Sequence, residues 1–358
     1  MGKAANSSIS LKQIHVTDNF WNKYVHLVKD VIIPYQWDIL NDKLEDVETS
    51  HCIENFKIAA GEKEGEFQGA VFQDTDVAKW LEAVGFVLNY ERDEKLEELA
   101  DETIELIGRA QQPDGYLNTY FTIKEPDGRW SNLMEGHELY TAGHMIEAAV
   151  AYYEATGKRR FLEIVSKFAD LVCQTFGSEE GKIHGYPGHQ EIELALVKLY
   201  RVTREKKYLD LAKYFIDLRG TGKNYFLEEE KRPGHKRIFP DFVNYDTMYA
   251  QAHKPVRKQR TAEGHAVRAN YMYSAMADLA YEYQDKELQQ HAETCGIIWC
   301  TKECILQEVL DLLDSWNDLQ QIMICQMTAI ILRHVLRLHL LCLEREWQIW
   351  RRMLLIWM

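Results

Sequence analysis

The 358-residue sequence lacks an apolar run that is long and uncharged enough to cross a bilayer. The best candidate, 322–343, is interrupted by Arg333, His334, Arg337 and His339. The N-terminus also lacks the apolar core and the small-residue cleavage site of a signal peptide. These absences predict a cytoplasmic protein with no membrane partner. Its seven cysteines are then expected to be thiols or metal ligands rather than disulfides.

The sequence also lacks an excess of basic residues over acidic ones. The chain has 42 Lys and Arg against 56 Asp and Glu, a net charge of −14, which argues against nucleic acid as a partner. A neutral ligand such as a sugar is compatible with this charge. The nucleotide-binding glycine loops, the His-Glu-x-x-His zinc motif and the Gly-x-Ser-x-Gly nucleophile motif are absent from the sequence.

The C-terminal segment 297–358 contains no Gly, Pro, Phe or Tyr, although residues 1–296 contain 20, 7, 13 and 19 of them. It holds five of the nine Trp and four of the seven Cys. One interpretation is a helical extension, because the segment is rich in Leu and Ile. However, a globular domain needs turns every dozen or so residues, and this segment has almost no turn-forming residues. The second interpretation is that 297–358 is not a selected sequence.

Residues 1–296 have apolar positions at helical spacing and few alternating strand patterns. A repeat relates 151–162 to 198–209: in each, a helix ends at Tyr-x-x-Thr and the next begins at an aromatic-Leu pair. Repeated helical hairpins predict an α-solenoid or a closed α/α toroid. The intervals vary and long loops intervene, which favours the toroid, an all-α barrel with a central pocket.

Five of the thirteen His follow a Gly, where residue frequencies alone give fewer than one. Three of them, His137, His189 and His265, each precede a predicted helix. Alternate helices of a toroid are inner helices and begin at the same mouth, so three imidazoles there would converge on one pocket. A single histidine in this position is more often a local cap or a satisfied buried group. Three in matched context favour a binding site.

Three further side chains are considered for binding. Asp74 and Asp76 open a predicted helix, where the alternative role of an N-terminal cap is strong. Tyr116 follows the turn 111–115 in an aromatic-rich region, and aromatic faces together with polar groups suit sugars. We therefore expect Asp76 and Tyr116 to join the three histidines in a substrate-binding site.

Eight stretches together resemble the β-L-arabinofuranosidase family of glycoside hydrolases, family 127. They span roughly residues 15–290 and are Ile32–Trp37, Phe56–Gly61, Phe72–Glu82, Ala110–Leu117, Gly136–Glu138, Glu180–Gly185, Gly188–Glu193 and Ala262–Arg268. The resemblance implies an (α/α)6 barrel that hydrolyses β-linked L-arabinofuranosides of plant glycans with retention. It also implies that His137, His189 and His265 contact the sugar. Family members use a Cys nucleophile, a Glu acid/base and a zinc ion held by Glu and Cys.

The family's acid/base Glu and its Glu-x-Cys zinc ligands belong just after residue 300, where this sequence has nothing similar. Cys52 and Cys173 lie outside the family's catalytic motifs and are expected to be small core residues. We therefore predict a barrel that is incomplete at its C-terminus, with no catalytic residue retained and no zinc bound. The oligomeric state is not predicted.

The codon table suggests why 297–358 differs from the family. When the last base of one codon is read with the first two bases of the next, some residue pairs allow only one amino acid in the shifted frame. The pair Trp316–Asn317 then encodes Glu, and the pairs Met323–Ile324 and Met327–Thr328 each encode Asp. These forced residues have the spacing of the family motif, and Leu332–Val335 permits its Glu-Thr-Cys. We hypothesise a frameshift between about Leu288 and Gly296, after which the translation is out of frame. Residues 1–296 would then be a partial catalytic domain.

Two other functions fit the same pattern of residues. An α/α-barrel sugar epimerase or unsaturated-uronide hydrolase would use His or Asp as its acid or base. A non-catalytic helical scaffold would use the hairpins only to bind a partner. Mutation of His137 or His265 would abolish the chemistry of the first class, whereas the arabinosidase interpretation predicts weakened binding.

Overall fold

Helices supply the regular structure of the residues that the computed structural model describes, which are 11–14, 16–239 and 246–298. In this part of the chain the single β-type pairing is an isolated bridge between Phe176 and Ile183. The all-α prediction is thus confirmed. The α-helices are α1 Asn19–Leu27, α2 Ile33–Leu40, α3 Cys52–Ala59, α4 Asp74–Tyr90, α5 Glu94–Ala110, α6 Thr119–Ile123, α7 Glu138–Thr156, α8 Arg160–Thr175, α9 Ile192–Thr203, α10 Lys206–Leu218, α11 Tyr225–Glu229, α12 Ala266–Tyr283 and α13 Lys286–Ile298.

The long helices pair as sequential hairpins. Helices α4, α7, α9 and α12 are the inner helices, and each packs against the next in that order. Helices α5, α8, α10 and α13 each return on the outside of the inner helix that precedes them. Helices α4 and α7 are buried around almost their whole circumference, whereas α5, α8 and α10 bury one apolar face and expose the other. This is the inner-and-outer layering of an α/α toroid.

A close approach of two backbones joins α4 to α7. A Cβ on Gly85 would lie 2.9 Å from both the Ala151 carbonyl carbon and the Tyr152 amide nitrogen. Glycine is therefore needed where the two inner helices cross. The indole of Trp80 in the same helix is fully buried and donates to the carbonyl of Ile33 at 3.1 Å, which connects α4 to α2.

The repeat found in the sequence corresponds to two helix ends. Helix α7 ends at Thr156 and α9 at Thr203, and each hydroxyl accepts a hydrogen bond from an amide two residues ahead. The residue after each threonine takes a left-handed backbone conformation, with φ of 75° at Gly157 and 64° at Arg204. This is the usual way to terminate a helix before a tight turn.

No helix in the described ranges is long and apolar enough to cross a membrane. The predictions made for 297–358 fall outside the described residues, except at Ile297 and Ile298, which end α13. Helix α13 spans the segment in which the sequence places the hypothesised frameshift.

Candidate sugar-binding site

Three imidazole rings form a row at the N-terminal ends of three inner helices. His137 is the N-cap of α7, His265 is the N-cap of α12, and His189 lies three residues before α9 begins. The ring centroids of His137 and His189 are 5.8 Å apart, and those of His189 and His265 are 5.7 Å apart. The structure therefore brings together the three histidines that the sequence singled out.

The glycine before each histidine lies against another backbone segment. A Cβ on Gly188 would collide with the carbonyl oxygens of Leu133 and Met134, and one on Gly264 would collide with that of Met248. The loops that carry the histidines can therefore pack this closely only with glycine at these positions. His137 itself has a φ of 53°, an uncommon conformation for a residue with a side chain. Such backbone strain is concentrated at functional sites.

Hydrogen bonds to the ring nitrogens determine the tautomers of the three histidines. Nδ1 of His137 lies 2.6 Å from the Glu135 carbonyl oxygen, and Nδ1 of His189 lies 2.8 Å from that of Gln190. Because a carbonyl only accepts, Nδ1 is the donor in both rings and Nε2 is an acceptor. In His265, Nδ1 accepts from the Arg268 amide at 3.4 Å, so Nε2 carries the proton. The row thus offers two acceptors and one donor.

The three rings are uncharged at neutral pH. Burial, followed by the nearby Arg268 guanidinium, lowers the pKa of His137 and of His265 to about 3. The same two causes hold the pKa of His189 well below its usual value. Neutral imidazoles suit the hydroxyl groups of an uncharged ligand, since each nitrogen keeps a fixed donor or acceptor role.

Aromatic rings surround the row of histidines. Tyr140 lies 4.2 Å from the His189 ring, Phe72 lies 5.0 Å from His137, and Tyr249 lies 5.3 Å from His265. Sequence reasoning did not predict these residues as part of the site. One signal was available for Tyr140, because it stands three residues after His137 and so lies near it at the start of the same helix.

Arg268 was also missed as a site residue. It stands three residues after His265, with its guanidinium 4.5 Å from the Tyr249 ring centroid. It also donates to the Gly188 carbonyl at 3.0 Å, which joins the His189 loop to α12. The side chain is largely buried, so its charge contributes strongly to keeping the row neutral.

Asp76 lies in the first turn of α4, near the row. Its carboxylate accepts from the Gln73 side-chain amide at 2.9 Å, and burial raises its pKa to about 6 in spite of nearby Lys79. The Lys79 ammonium lies 5.3 Å from the Tyr140 ring centroid, so Asp76 and the row share a charged neighbour. Asp74, the first residue of α4, accepts from the Thr119 amide at 2.7 Å and thereby connects the start of α4 to the start of α6.

Tyr116 lies beneath the row, in the apolar core. Its fully buried ring contacts Trp130 and Phe168 at centroid distances of 5.4 and 5.5 Å. Its hydroxyl donates to Glu138, the residue that follows His137. The structure therefore joins Tyr116 to the site through Glu138, and its predicted contact with a ligand stays a prediction.

A layer of buried carboxylates lies further inside the barrel. Glu193 pairs with Arg219 at 3.2 Å, and Glu147 pairs with Lys198. Glu191 lies 3.6 Å from Nδ1 of His144, and burial together with the Glu82 charge raises its pKa well above the ordinary value. The first two pairs connect α9 to Arg219, which follows α10, and to α7.

The described residues do not fit a zinc centre. Within the described ranges, no group of three or more His, Cys, Asp or Glu side chains could hold a metal ion. Cys52 is fully buried, and its thiol donates to the Gln73 carbonyl at 3.3 Å. Cys173 is half-buried, and burial raises the pKa of its thiol to about 12, far from the thiolate that binds zinc. The cysteines of 297–358 lie outside the described residues.

An α/α toroid with neutral imidazoles and aromatic rings at one mouth defines a class of carbohydrate-active helical barrels. Within it, the chain belongs to the family described as β-L-arabinofuranosidase, GH127 catalytic domain, whose profile matches residues 13–301. The family resemblance stated from the sequence is thus confirmed.

Known proteins of this family are similar over most of the chain. A non-reducing end β-L-arabinofuranosidase of Bifidobacterium longum subsp. longum is 43% identical over 291 residues, which are 77% of this chain and 44% of that protein. A crystal structure of a GH127 β-L-arabinofuranosidase from Geobacillus stearothermophilus T6 is 57% identical, with a TM-score of 0.77 over 80% of this chain and 45% of that one. A second solved structure, a GH127 β-arabinofuranosidase, is 38% identical, with a TM-score of 0.69 over 81% and 43%. The chain thus spans less than half the length of these relatives.

Proposed function

We propose that the row of His137, His189 and His265 binds the terminal L-arabinofuranosyl group of a plant glycan. The proposal makes the described residues the sugar-binding part of a retaining β-L-arabinofuranosidase domain. The observation that carries it is the fixed pattern of two neutral acceptors and one neutral donor across adjacent rings. A furanose presents hydroxyl groups that can pair with all three, and each such hydrogen bond contributes about 1 kcal/mol.

The other residues of the site suit the same ligand. Phe72 and Tyr140 offer apolar ring surface beside His137 and His189, which complements the C–H faces of a sugar. Asp76 has an oxygen without a hydrogen bond and is close to fully buried, so it can accept from a hydroxyl that enters the site.

Calorimetry with methyl β-L-arabinofuranoside tests this proposal, with methyl β-D-glucopyranoside as the control sugar. The account predicts saturable binding of the arabinofuranoside by the 358-residue protein and none of the glucoside at the same concentration. A scaffold that merely holds other proteins would give no heat with either sugar. Absence of arabinofuranoside binding by correctly folded protein would therefore reject the proposal.

We further propose that this polypeptide neither hydrolyses arabinofuranosides nor holds zinc. Segment 297–358 lacks the acid/base Glu and the Glu-x-Cys ligands that the family resemblance implies, and the described residues offer no substitute cluster. Two measurements test this: release of a chromophore from an aryl β-L-arabinofuranoside, and zinc content by mass spectrometry. Hydrolysis well above the buffer rate, or stoichiometric zinc, would contradict the proposal.

We propose that 297–358 is an out-of-frame translation. The support is the series of forced Glu and Asp residues at the family spacing, together with the missing Gly, Pro, Phe and Tyr. The nucleotide sequence decides the matter. The hypothesis requires a shifted frame that encodes the Glu, Asp, Asp and Glu-Thr-Cys series, and a gene in which no frame encodes it would disprove the frameshift.

A further inference from the structure

Two buried glutamine side chains connect the segments that carry His189 and His265. Gln190 directly follows His189, and its side-chain amide donates to the side-chain oxygen of Gln251 at 2.8 Å. The amide of Gln251 in turn donates to the carbonyl oxygens of Glu263 at 2.8 Å and of His265 at 3.2 Å. Both glutamines are fully buried. A chain of amide hydrogen bonds therefore runs from one histidine of the row to the next.

Turn 249–251 also holds the backbone of His265 through its N–H group. That N–H donates to the Tyr249 carbonyl at 3.0 Å, while the His265 carbonyl accepts from Gln251. A Cβ on Gly264 would lie 2.8 Å from Nε2 of Gln251, so the glycine before His265 leaves the space that the Gln251 amide needs. His265 therefore cannot shift relative to this turn without breaking these two hydrogen bonds.

The same turn is bonded to the segment that precedes His189. The Ala250 carbonyl accepts from the Gln190 side chain at 3.1 Å and from the Arg219 guanidinium at 2.9 Å. Arg219, which is fully buried, also donates to the Pro187 carbonyl at 2.7 Å. Buried donors that lose their acceptors cost free energy, so these hydrogen bonds resist a change in the spacing of the two segments.

Gln251 itself has a strained backbone. Its φ is 51°, in the left-handed region that glycine adopts without strain. Glycine has no side-chain amide, however, and so could not hold the carbonyls of Glu263 and His265. Residues that keep such strain are concentrated at functional sites. The amide is therefore the feature for which a glutamine is useful at this position.

We propose that Gln251 is a positioning residue of the sugar-binding site and that, with Gln190, it fixes the His265 ring relative to the His189 ring. The ring centroids are 5.7 Å apart, and one ligand can pair with both rings only while this spacing is kept. The inference rests on the proposed sugar binding for its consequence, but the environment of the rings can be tested without a sugar. Neither glutamine is proposed to contact the ligand.

NMR of ring-labelled histidines tests the positioning without a ligand. In the wild-type protein the ring signals of His265 should not change between about pH 8 and pH 5, because burial and Arg268 lower its pKa to about 3. Gln251→Met removes the amide with little change in volume, so water should reach the ring and raise its pKa by at least about one pH unit. The signals of His265 should then move towards the protonated position as pH 5 is approached.

Gln111→Met is the matched control. The Gln111 amide also donates to two carbonyl oxygens, those of Gly115 at 2.9 Å and Ile164 at 2.8 Å. This variant should leave the His265 signals unchanged. Unchanged signals in Gln251→Met, or an equal change in Gln111→Met, would overturn the inference. Gln251→Gly removes the amide and relieves the backbone strain, so it is the second variant if Gln251→Met does not fold, and it should give the same result.

Affinity for methyl β-L-arabinofuranoside, measured by calorimetry, tests the consequence for binding. Gln251→Met should lower it at least about fivefold in the wild-type background. In the His265→Asn background the same substitution should change it less than about twofold, because the ring that Gln251 positions is absent. Asparagine keeps an N-cap acceptor for α12. Equal losses in both backgrounds would show that Gln251 only stabilises the fold. No binding by folded wild-type protein would reject the proposed function, whereas the NMR result would still decide the positioning.

Discussion

The phenol hydroxyl of Tyr116 donates its hydrogen bond to a side-chain oxygen of Glu138, which immediately follows His137. The second oxygen of Glu138 accepts from the Trp130 amide at 2.8 Å. The start of α7 is thereby connected to two loops through one buried carboxyl group. These two hydrogen bonds hold the start of α7 in place, and with it the strained backbone of His137.

Tyr116→Phe should destabilise the protein. The substitution keeps the ring contacts with Trp130 and Phe168 but removes the hydrogen-bond donor to a buried carboxyl group, a loss of about 1–3 kcal/mol. The shift in the midpoint of thermal unfolding measures this loss of stability. Tyr214→Phe is the control, because the half-buried hydroxyl of Tyr214 donates to the Gly177 carbonyl at 2.9 Å and not to a buried carboxylate. A midpoint shift no larger than that of the control would show that the Tyr116 hydroxyl is dispensable.

Glu138 should make stability decline as pH rises towards 8. Burial raises its pKa from 4.5 to about 8, so between these values the folded protein binds a proton that the unfolded chain has released. Stability then falls with rising pH by up to about 1.4 kcal/mol per pH unit for this group. Above about pH 7 the raised pKa of Glu229 has been passed, whereas Glu191, whose pKa is also raised, can still contribute, so the effect of Glu138 is taken from the comparison with Glu138→Gln.

Thermal midpoints at pH 7 and pH 8 check this expectation. The wild-type midpoint should fall between these pH values, and Glu138→Gln should show a smaller fall, because an amide does not titrate. Glu125→Gln, at a partly exposed residue whose carboxylate pairs with Lys236 at 3.2 Å, serves as the control. Parallel slopes for wild type and Glu138→Gln would mean that another group causes the decline.

The two helix ends of the repeat make opposite predictions. Arg204 adopts a left-handed conformation that glycine accepts at no steric cost, so Arg204→Gly should stabilise the protein by up to about 1 kcal/mol. Gly157→Ala places a side chain in the equivalent conformation and should destabilise by a similar amount. The denaturant concentration at the midpoint of unfolding, measured for both variants, tests these two predictions. Stabilisation by Gly157→Ala would show that the two positions are not equivalent.

The histidines should add no pH dependence to sugar binding from about pH 5 to 8, where only Asp76, whose pKa burial raises to about 6, changes protonation among the proposed binding residues. His137 and His265 have pKa values lowered to about 3, so they are neutral throughout this range and gain a proton only in strong acid. Protonation would replace an acceptor by a donor in His137, so affinity should fall only as the pH approaches about 4 and below. Titrations at several pH values measure this, with thermal midpoints at each pH to verify folding. A drop in affinity centred near pH 6.5 that persists in Asp76→Asn would indicate ordinary, solvated histidines.

The sequence was sufficient to predict the helical hairpins and the row of histidines, because both depend on local patterns. Apolar spacing identifies the helices, and a Gly-His pair before a helix places an imidazole at its N-terminus. Phe72, Tyr249 and Arg268 were not predicted as site residues. Their positions depend on which helices and loops become neighbours, which local spacing does not determine.

Tyr116 has a role that composition did not predict. Its aromatic surroundings in the sequence predict contact with a sugar, and the structure adds that its buried ring packs against Trp130 and Phe168. A buried carboxylate beside His137 explains why tyrosine, rather than phenylalanine, suits this position. The sequence alone does not show which aromatic residues pack in the core and which ones face a ligand.

The affinity of His189→Phe for methyl β-L-arabinofuranoside tests the central claim most directly. The substitution preserves an aromatic ring beside Tyr140 but removes the central acceptor of the row. The account predicts that affinity falls at least about tenfold, which corresponds to one hydrogen bond of about 1.4 kcal/mol, while the exposed-site control His184→Phe binds like wild type. Equal affinity of His189→Phe and wild type, with both proteins fully folded, would contradict the claim that the row of histidines binds the sugar.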